Sequence, residues 1–152
     1  MLNPRASDKV GSSGTAEPAF FNAVTGKEIT FEDGMTIGKR IWNLDHAIWT
    51  LQGRHRDMVH FADYIYNKEY TGSLFPRHYV PGRNQTGKWQ YINVIGRHLD
   101  KEKFEEFKTR YYNVEGWDPQ NGYPTRELLE SIGLDFVADE LEKDQKLGSS
   151  LQ

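Results

Sequence analysis

Cysteine is absent from all 152 residues, and this absence excludes the most chemistry. No disulfide, thiolate zinc site, cysteine nucleophile or self-contained iron–sulfur cluster can be built within this chain. The sequence also lacks any apolar run approaching the ~20 residues that span a bilayer. Its first residues have no apolar core of a signal peptide, so a cytoplasmic location is expected. An excess of positive charge is missing too. Nineteen Lys and Arg stand against 22 Asp and Glu, a net charge of −3, whereas a general nucleic-acid binder is usually basic. Aromatic residues, in contrast, are plentiful. Four Trp, eight Tyr and eight Phe each bury a large area, so one small domain can assemble a core.

Pro4, Gly11, Ser12, Ser13, Gly14 and Pro18 predict an irregular segment over 1–18. Gly148 to Gln152 read as a flexible tail, which leaves 19–147 as a helical domain. The clearest helix spans 31–53, where Ile37, Ile41, Leu44, Ile48 and Leu51 repeat at i, i+4, i+7, i+11 and i+14 and predict a buried face. Thr30 is its candidate N-cap, Glu32 and Asp33 suit its first turn, and Gly53 is its stop. Trp42 and Trp49 line an adjoining stripe.

Between 57 and 99 lies an aromatic stretch with alternation around Trp89 to Val94 and turn residues at Pro81-Gly82 and Thr86-Gly87. It reads as an ordered loop or a short hairpin. A helix is predicted over 101–115, with Asp100 as N-cap, Phe104, Phe107, Tyr111 and Val114 facing inward, and Gly116 as its end. Thr125 caps the next helix, with Leu128, Leu129 and Ile132 inward, and Gly133 ends it. Asp135 is the candidate cap of the last helix, which carries Phe136, Val137, Glu140 and Leu141. The expected fold is a mainly α small domain with a long aromatic loop or short hairpin insert.

No spacing nominates catalytic or metal-binding residues. His46 has Trp42 and Thr50 at its i−4 and i+4 positions, and His55 and His60 are five apart, so neither makes a helical ligand pair. Asp57 and His60 could share a ligand only on a helix. Gly11-Ser12-Ser13-Gly14 lacks the Gly-Lys-Ser/Thr that completes a phosphate loop and reads as linker. No Ser-His-Asp set stands out. The candidate site for an anionic ligand or partner is the basic middle of the chain, Arg54, Arg56, Arg77, Arg83 and Lys88, interleaved with aromatics. Ordinary surface pairing is its alternative.

Two separated stretches then carry a family resemblance. Val24-Thr25-Gly26 followed by Ile37-Gly38-Lys39-Arg40-Ile41-Trp42-Asn43-Leu44-Asp45 resembles the first helix of the C-terminal domain of the tungsten-containing aldehyde ferredoxin oxidoreductases. Gly53, Arg56 and Asp57 are similar to the arginine-containing turn that follows. Tyr111-Tyr112, Gly116-Trp117-Asp118, Gly122, Pro124-Thr125, Leu129 and Gly133-Leu134 resemble that family's closing motif, with one extra residue before Gly122. The likeness covers roughly 21–141, and the aromatic insert at 64–98 is similar to the active-site subunit of the benzoyl-coenzyme A reductase branch.

The resemblance implies a tungsten ion on two pterin dithiolenes and a 4Fe–4S cluster in the full-length enzyme. It also implies electron exchange with a ferredoxin or an electron-transfer subunit. The family's fourth cluster cysteine lies in a D-x-x-G-x-C element. Asp8 and Gly11 match two of its positions, but Ser13 stands where the cysteine would be. The chain is therefore expected to bind neither group alone, to work with the remaining domains of a parent enzyme, and to be inactive in isolation. The alternative is a stand-alone helical module that binds an anionic partner or ligand.

Overall fold

The computed structural model of the chain describes residues 13–72 and 78–150. Arg77 and the Gly11-Ser12 half of the linker lie outside these residues. The fold is mainly α, as the sequence predicts. Its helices are α1 (Ser13–Thr25), α2 (Phe31–Leu51), α3 (Asp63–Asn67), α4 (Lys101–Glu115), α5 (Arg126–Ser131) and α6 (Asp135–Lys143). Among the described residues one hairpin, β1 (Tyr79–Arg83) and β2 (Trp89–Asn93), interrupts them.

Local capping explains most boundaries. At the start of α2 the Thr30 hydroxyl accepts from the Asp33 amide at 3.1 Å, and the Asp33 carboxylate accepts from the Thr30 amide at 2.8 Å. This reciprocal box satisfies amides that the first helical turn leaves unpaired. Asp100 and Thr125 cap α4 and α5 more simply, each side chain accepting from one amide, that of Lys103 and of Leu128. Gly116 ends α4 at φ +80°, a left-handed conformation that favours glycine. At α6 the expected Asp135 cap is not formed. Leu134 occupies the N-cap position without a side-chain bond, and Asp135 sits in the first turn, where its charge suits the helix dipole.

Both predicted loose ends are more ordered than composition suggests. A helix begins at Ser13, inside the segment expected to be irregular, and Pro18 lies within it. Asn22 then locks the turn into α2, donating to the Ile29 carbonyl at 2.8 Å and accepting from the Ile29 amide at 2.9 Å. At the other end Gly148 donates to the Pro124 carbonyl, and the Ser149 amide donates to the Asp118 carboxylate at 3.0 Å. A Cβ on Gly148 would collide with the Tyr123 carbonyl oxygen, so only glycine allows this approach.

The aromatic insert contains the hairpin. Tyr79 pairs with Asn93 and Arg83 with Trp89 in an antiparallel ladder. Pro81-Gly82 lies within β1 and forms no turn, and Pro is tolerated there because a two-stranded ribbon has only edges. The turn is at Asn84–Lys88, where Asn84 Oδ1 accepts from the Thr86 and Lys88 amides.

The core lies away from the predicted apolar face of α2. Ala47 meets Leu129 and Ile132 near α5 and Val137, Ala138 and Leu141 of α6, while a second cluster joins Tyr112, Trp117 and Leu128. The α2 stripe of Ile37, Ile41, Leu44, Ile48 and Leu51 is 36–64% exposed. Its inward face is instead Asn43, His46, Ala47 and Thr50. These polar groups can be buried because each is bonded. Thr50 donates to the His46 carbonyl and Asn43 to the Lys39 carbonyl. In α4, likewise, Phe107 and Val114 are exposed, Phe104 and Tyr111 are half-buried, and Lys108 and Tyr112 are the buried residues.

Leu129→Ala, at a fully buried position, is expected to cost about 2–5 kcal/mol in urea unfolding of this chain. Ile41→Ala, on the exposed stripe, is expected to stay within about 0.5 kcal/mol of wild type. Equal losses would show that the stripe is packed inward after all.

Candidate functional site

A partly enclosed apolar concavity lies beside the C-terminal half of α2. Trp42, His46 and Trp49 of α2 face Phe107 and Tyr111 of α4 across a space of about 250 Å³, with Trp117 and Arg54 completing the wall. A larger groove beside Gly96–Asp100, of about 690 Å³, is shallower and more open. Apolar walls with a few convergent polar groups are the usual form of a small-molecule site.

Trp117 holds the cavity together. Its ring stacks on His46 with centroids 3.5 Å apart and planes 5° from parallel. Trp42 lies stacked 6.1 Å away, and Tyr111 meets Trp117 edge-on at 5.7 Å. The Trp117 indole N–H donates to Asn43 Oδ1 at 2.8 Å. His46 Nε2 is 2.7 Å from the Gly122 carbonyl oxygen. A carbonyl can only accept, so Nε2 carries the proton. The Gly122 turn is shaped for this contact. Its φ is +80°, and an added Cβ would stand 3.3 Å from the Tyr112 ring. Asp118 secures the same turn, accepting from the Gln120 amide and the Asn121 side chain.

Two cations, Arg54 and Lys108, stand among the lining residues. Burial pushes the His46 imidazole below its ordinary 6.5; the Gly122 contact works against that shift, and nearby Arg54 adds to it. Burial raises the Tyr111 and Tyr112 hydroxyls. Lys108 is buried, but its charge is answered by Glu105 at 2.7 Å and by the Val59 carbonyl at 2.9 Å. Partial burial raises the Glu105 carboxyl, but the bonds from Lys108 and Arg56 outweigh it and hold the group below its ordinary value. Arg54 lies over the Trp49 ring at 4.5 Å, and among the described residues no carboxylate pairs with it.

Arg54, Arg56, Arg83 and Lys88, the described members of the basic set read as a candidate anion site, have separate surroundings. Arg54 is at the cavity rim. Arg56 is consumed by the fold. Its guanidinium donates to the Thr109 hydroxyl, the Pro119 carbonyl, and the carbonyl and carboxylate of Glu105. That commitment leaves no fork for a ligand. Arg83 packs on Trp89 in the hairpin at 5.2 Å, and Lys88 lies in the adjoining turn. Arg77 lies outside the described residues. Among those residues no group of three or more His, Asp or Glu could hold a metal ion. The site can hold a flat apolar group, with Arg54 at its rim and Lys108 in its lining already paired to Glu105.

Sequence reasoning missed Asn43, His46, Tyr112 and Trp117 as a unit. The partners are 74 and 76 residues apart, beyond any local pattern. One signal was present. Asn43, His46 and Thr50 lie at i, i+3 and i+7 on one face of an otherwise apolar helix, a placement that needs a bonded interior.

His46 generates a pH prediction. Its folded-state value is depressed, so between that value and about 6.5 the unfolded chain binds more protons. Stability is therefore complete above about pH 6.5 and falls as pH drops towards the depressed value. Urea midpoints at neutral and mildly acidic pH are expected to show this decline, and His46→Gln is expected to flatten it. An unchanged slope in the variant would assign the effect to other groups.

The family model for aldehyde ferredoxin oxidoreductase, domains 2 & 3, matches residues 7–134. That span includes α2, the cavity wall, the hairpin and the Gly116–Thr125 corner. The chain belongs to the aldehyde ferredoxin oxidoreductase family.

Proposed function

We propose that this chain walls one side of the cofactor and substrate cavity of a tungsten–pterin, iron–sulfur oxidoreductase, acting within the parent enzyme and inactive alone. The observation that carries this reading is the family match over 7–134, joined to an aromatic-walled concavity on the matched residues. Enzymes that use such cofactors need the protein to position the reacting atoms and exclude competing reactions. A wall of three Trp and Tyr111, with neutral His46 behind them, suits that task.

The donor chemistry of this chain does not fit the cofactors themselves. A 4Fe–4S cluster takes cysteine thiolates, and the chain has none. Among the described residues there is no metal-ligating cluster either. The tungsten and the iron–sulfur cluster are thus assigned to other parts of the enzyme, and a ferredoxin or electron-transfer subunit is the electron partner. Within the family, the aromatic insert with its exposed Tyr79, Trp89 and Tyr91 supports the benzoyl-coenzyme A reductase branch, and so aromatic acyl-coenzyme A reduction. The absence of cysteine suits a reducing cytoplasm.

Metal analysis of the isolated chain tests the assignment. The chain is expected to purify without stoichiometric tungsten or iron and without dye-linked aldehyde oxidation. Stoichiometric tungsten on this chain alone would overturn the proposal. Salt-dependent, stoichiometric binding of an anionic ligand by the isolated chain would favour a stand-alone binding module.

A further inference from the structure

The acids of this chain avoid one stretch altogether. Residues 70–99 hold four Lys and Arg and no Asp or Glu, which leaves 15 cations against 22 acids, a net −7, for the rest. The hairpin of β1 and β2 forms the middle of this stretch. Its register decides which side chains share a face, because directly opposite residues project to one side and the sides alternate along each strand. Tyr79 opposite Asn93, Pro81 opposite Tyr91 and Arg83 opposite Trp89 make the front, and Gly82 and Ile92 lie on the rear. The two faces differ. On the rear, Ile92 reaches across Gly82, where an added Cβ would meet its side chain, and both residues are half-buried. On the front, Tyr79, Trp89 and Tyr91 are 59%, 64% and 77% exposed. Three large rings side by side in water are more than scattered apolar residues of an ordinary surface.

Size and charge select the occupant. A two-stranded ribbon of this length offers a face of about 17 Å by ~10 Å, or roughly 170 Å². That is well under the ~800 Å² that each partner gives to a stable protein interface, but it is enough for one small flat ligand. Trp89 and Tyr91 are two residues apart on one strand, so their stems are about 6.8 Å apart. This is close to twice the ~3.5 Å contact distance between carbon atoms, a gap that takes one flat ring. Arg83 lies over the Trp89 ring at 5.2 Å, and Lys88 is exposed in the adjoining turn. Among the described residues no carboxylate pairs with either cation, so both can answer an anion. A flat ring joined to a phosphate has both of the required parts. The net −7 elsewhere repels a long polyanion, which favours a single nucleotide over a strand.

We propose that the front of the hairpin is a stacking platform for one purine nucleoside phosphate. The base sits between Trp89 and Tyr91, and Arg83 and Lys88 hold the phosphate. Tyr79, diagonal to Tyr91 across the ribbon, extends the apolar floor. This site goes beyond the parent-enzyme reading and does not depend on it.

Titration calorimetry of the full chain with ADP is the test. Saturable one-to-one binding is expected, weakening as salt rises. Trp89→Ala is expected to lose about tenfold in affinity, while Trp89→Phe keeps most of it because it keeps a ring. Arg83→Gln is expected to lose affinity for ADP and little for adenosine. Both side chains are exposed, so the variants should keep the wild-type circular dichroism and melting temperature. Arg110→Gln, exposed on α4, is the control and should bind like wild type. No saturable binding of ADP by the wild-type chain overturns the proposal, and so does undiminished binding by folded Trp89→Ala. Adenosine bound as tightly as ADP overturns the role given to the cations. Binding of oligothymidylate that tightens with length and exceeds that of ADP overturns the proposal in favour of single-stranded nucleic acid.

Discussion

The stacked pair of His46 and Trp117 is the contact on which the rest of the arrangement depends. It joins the middle of α2 to the corner that follows α4, and each ring is tied down by a further bond. Trp117 donates to Asn43, and His46 reaches the Gly122 carbonyl. Both bonds lie in a water-poor interior, where an unmade partner costs about 1–3 kcal/mol. This explains why the inward face of α2 can be polar. The helix is held by bonds and ring stacking on that side, which leaves its aliphatic side chains facing outward.

Arg56 does for the opposite side of the corner what Trp117 does for α2. Its backbone amide donates to the Asn121 carbonyl. Its side chain spans to Thr109, Pro119 and Glu105. One residue thereby fixes the loop after α2, the α4 helix and the Asp118–Gly122 turn against each other. Glu105 is shared with Lys108, so the buried Lys108 and the half-buried Arg56 share one carboxylate, and a buried charge requires such a partner. The corner from Gly116 to Thr125 is thus clamped from both sides and from the chain end, where Ser149 reaches Asp118. Its residues act as scaffold, and the cavity takes its shape from it.

Much of this was legible locally. Thr30, Asp100 and Thr125 as caps, and Gly116 as a helix end, follow from short-range backbone chemistry, which a few neighbouring residues decide. Leu128, Leu129 and Ile132 faced inward as their spacing required. The α2 stripe did not, because periodicity identifies an apolar face without saying which body covers it. The α4 stripe failed similarly. Lys108 is buried in place of Phe107 because its ammonium finds Glu105 one turn back on α4 and the Val59 carbonyl 49 residues away, and the second partner lies beyond any local pattern. The surroundings of the candidate anion-site residues were hidden for a related reason. Arg56 looked like a ligand group by type, but its acceptors come from segments about 50 or more residues on.

By itself the sequence determined the mainly α class, the helix ends and the absence of thiolate chemistry, because these depend on neighbouring residues or on composition alone. It also contained the two motifs that mark the family. Only the tertiary structure decided that α2 turns its polar face inward, that His46 stacks on Trp117, and that Arg54 stands at a cavity rim while Arg56 is spent on the fold. Each of these depends on which distant partner satisfies a buried group, and that is settled only when the whole chain has packed.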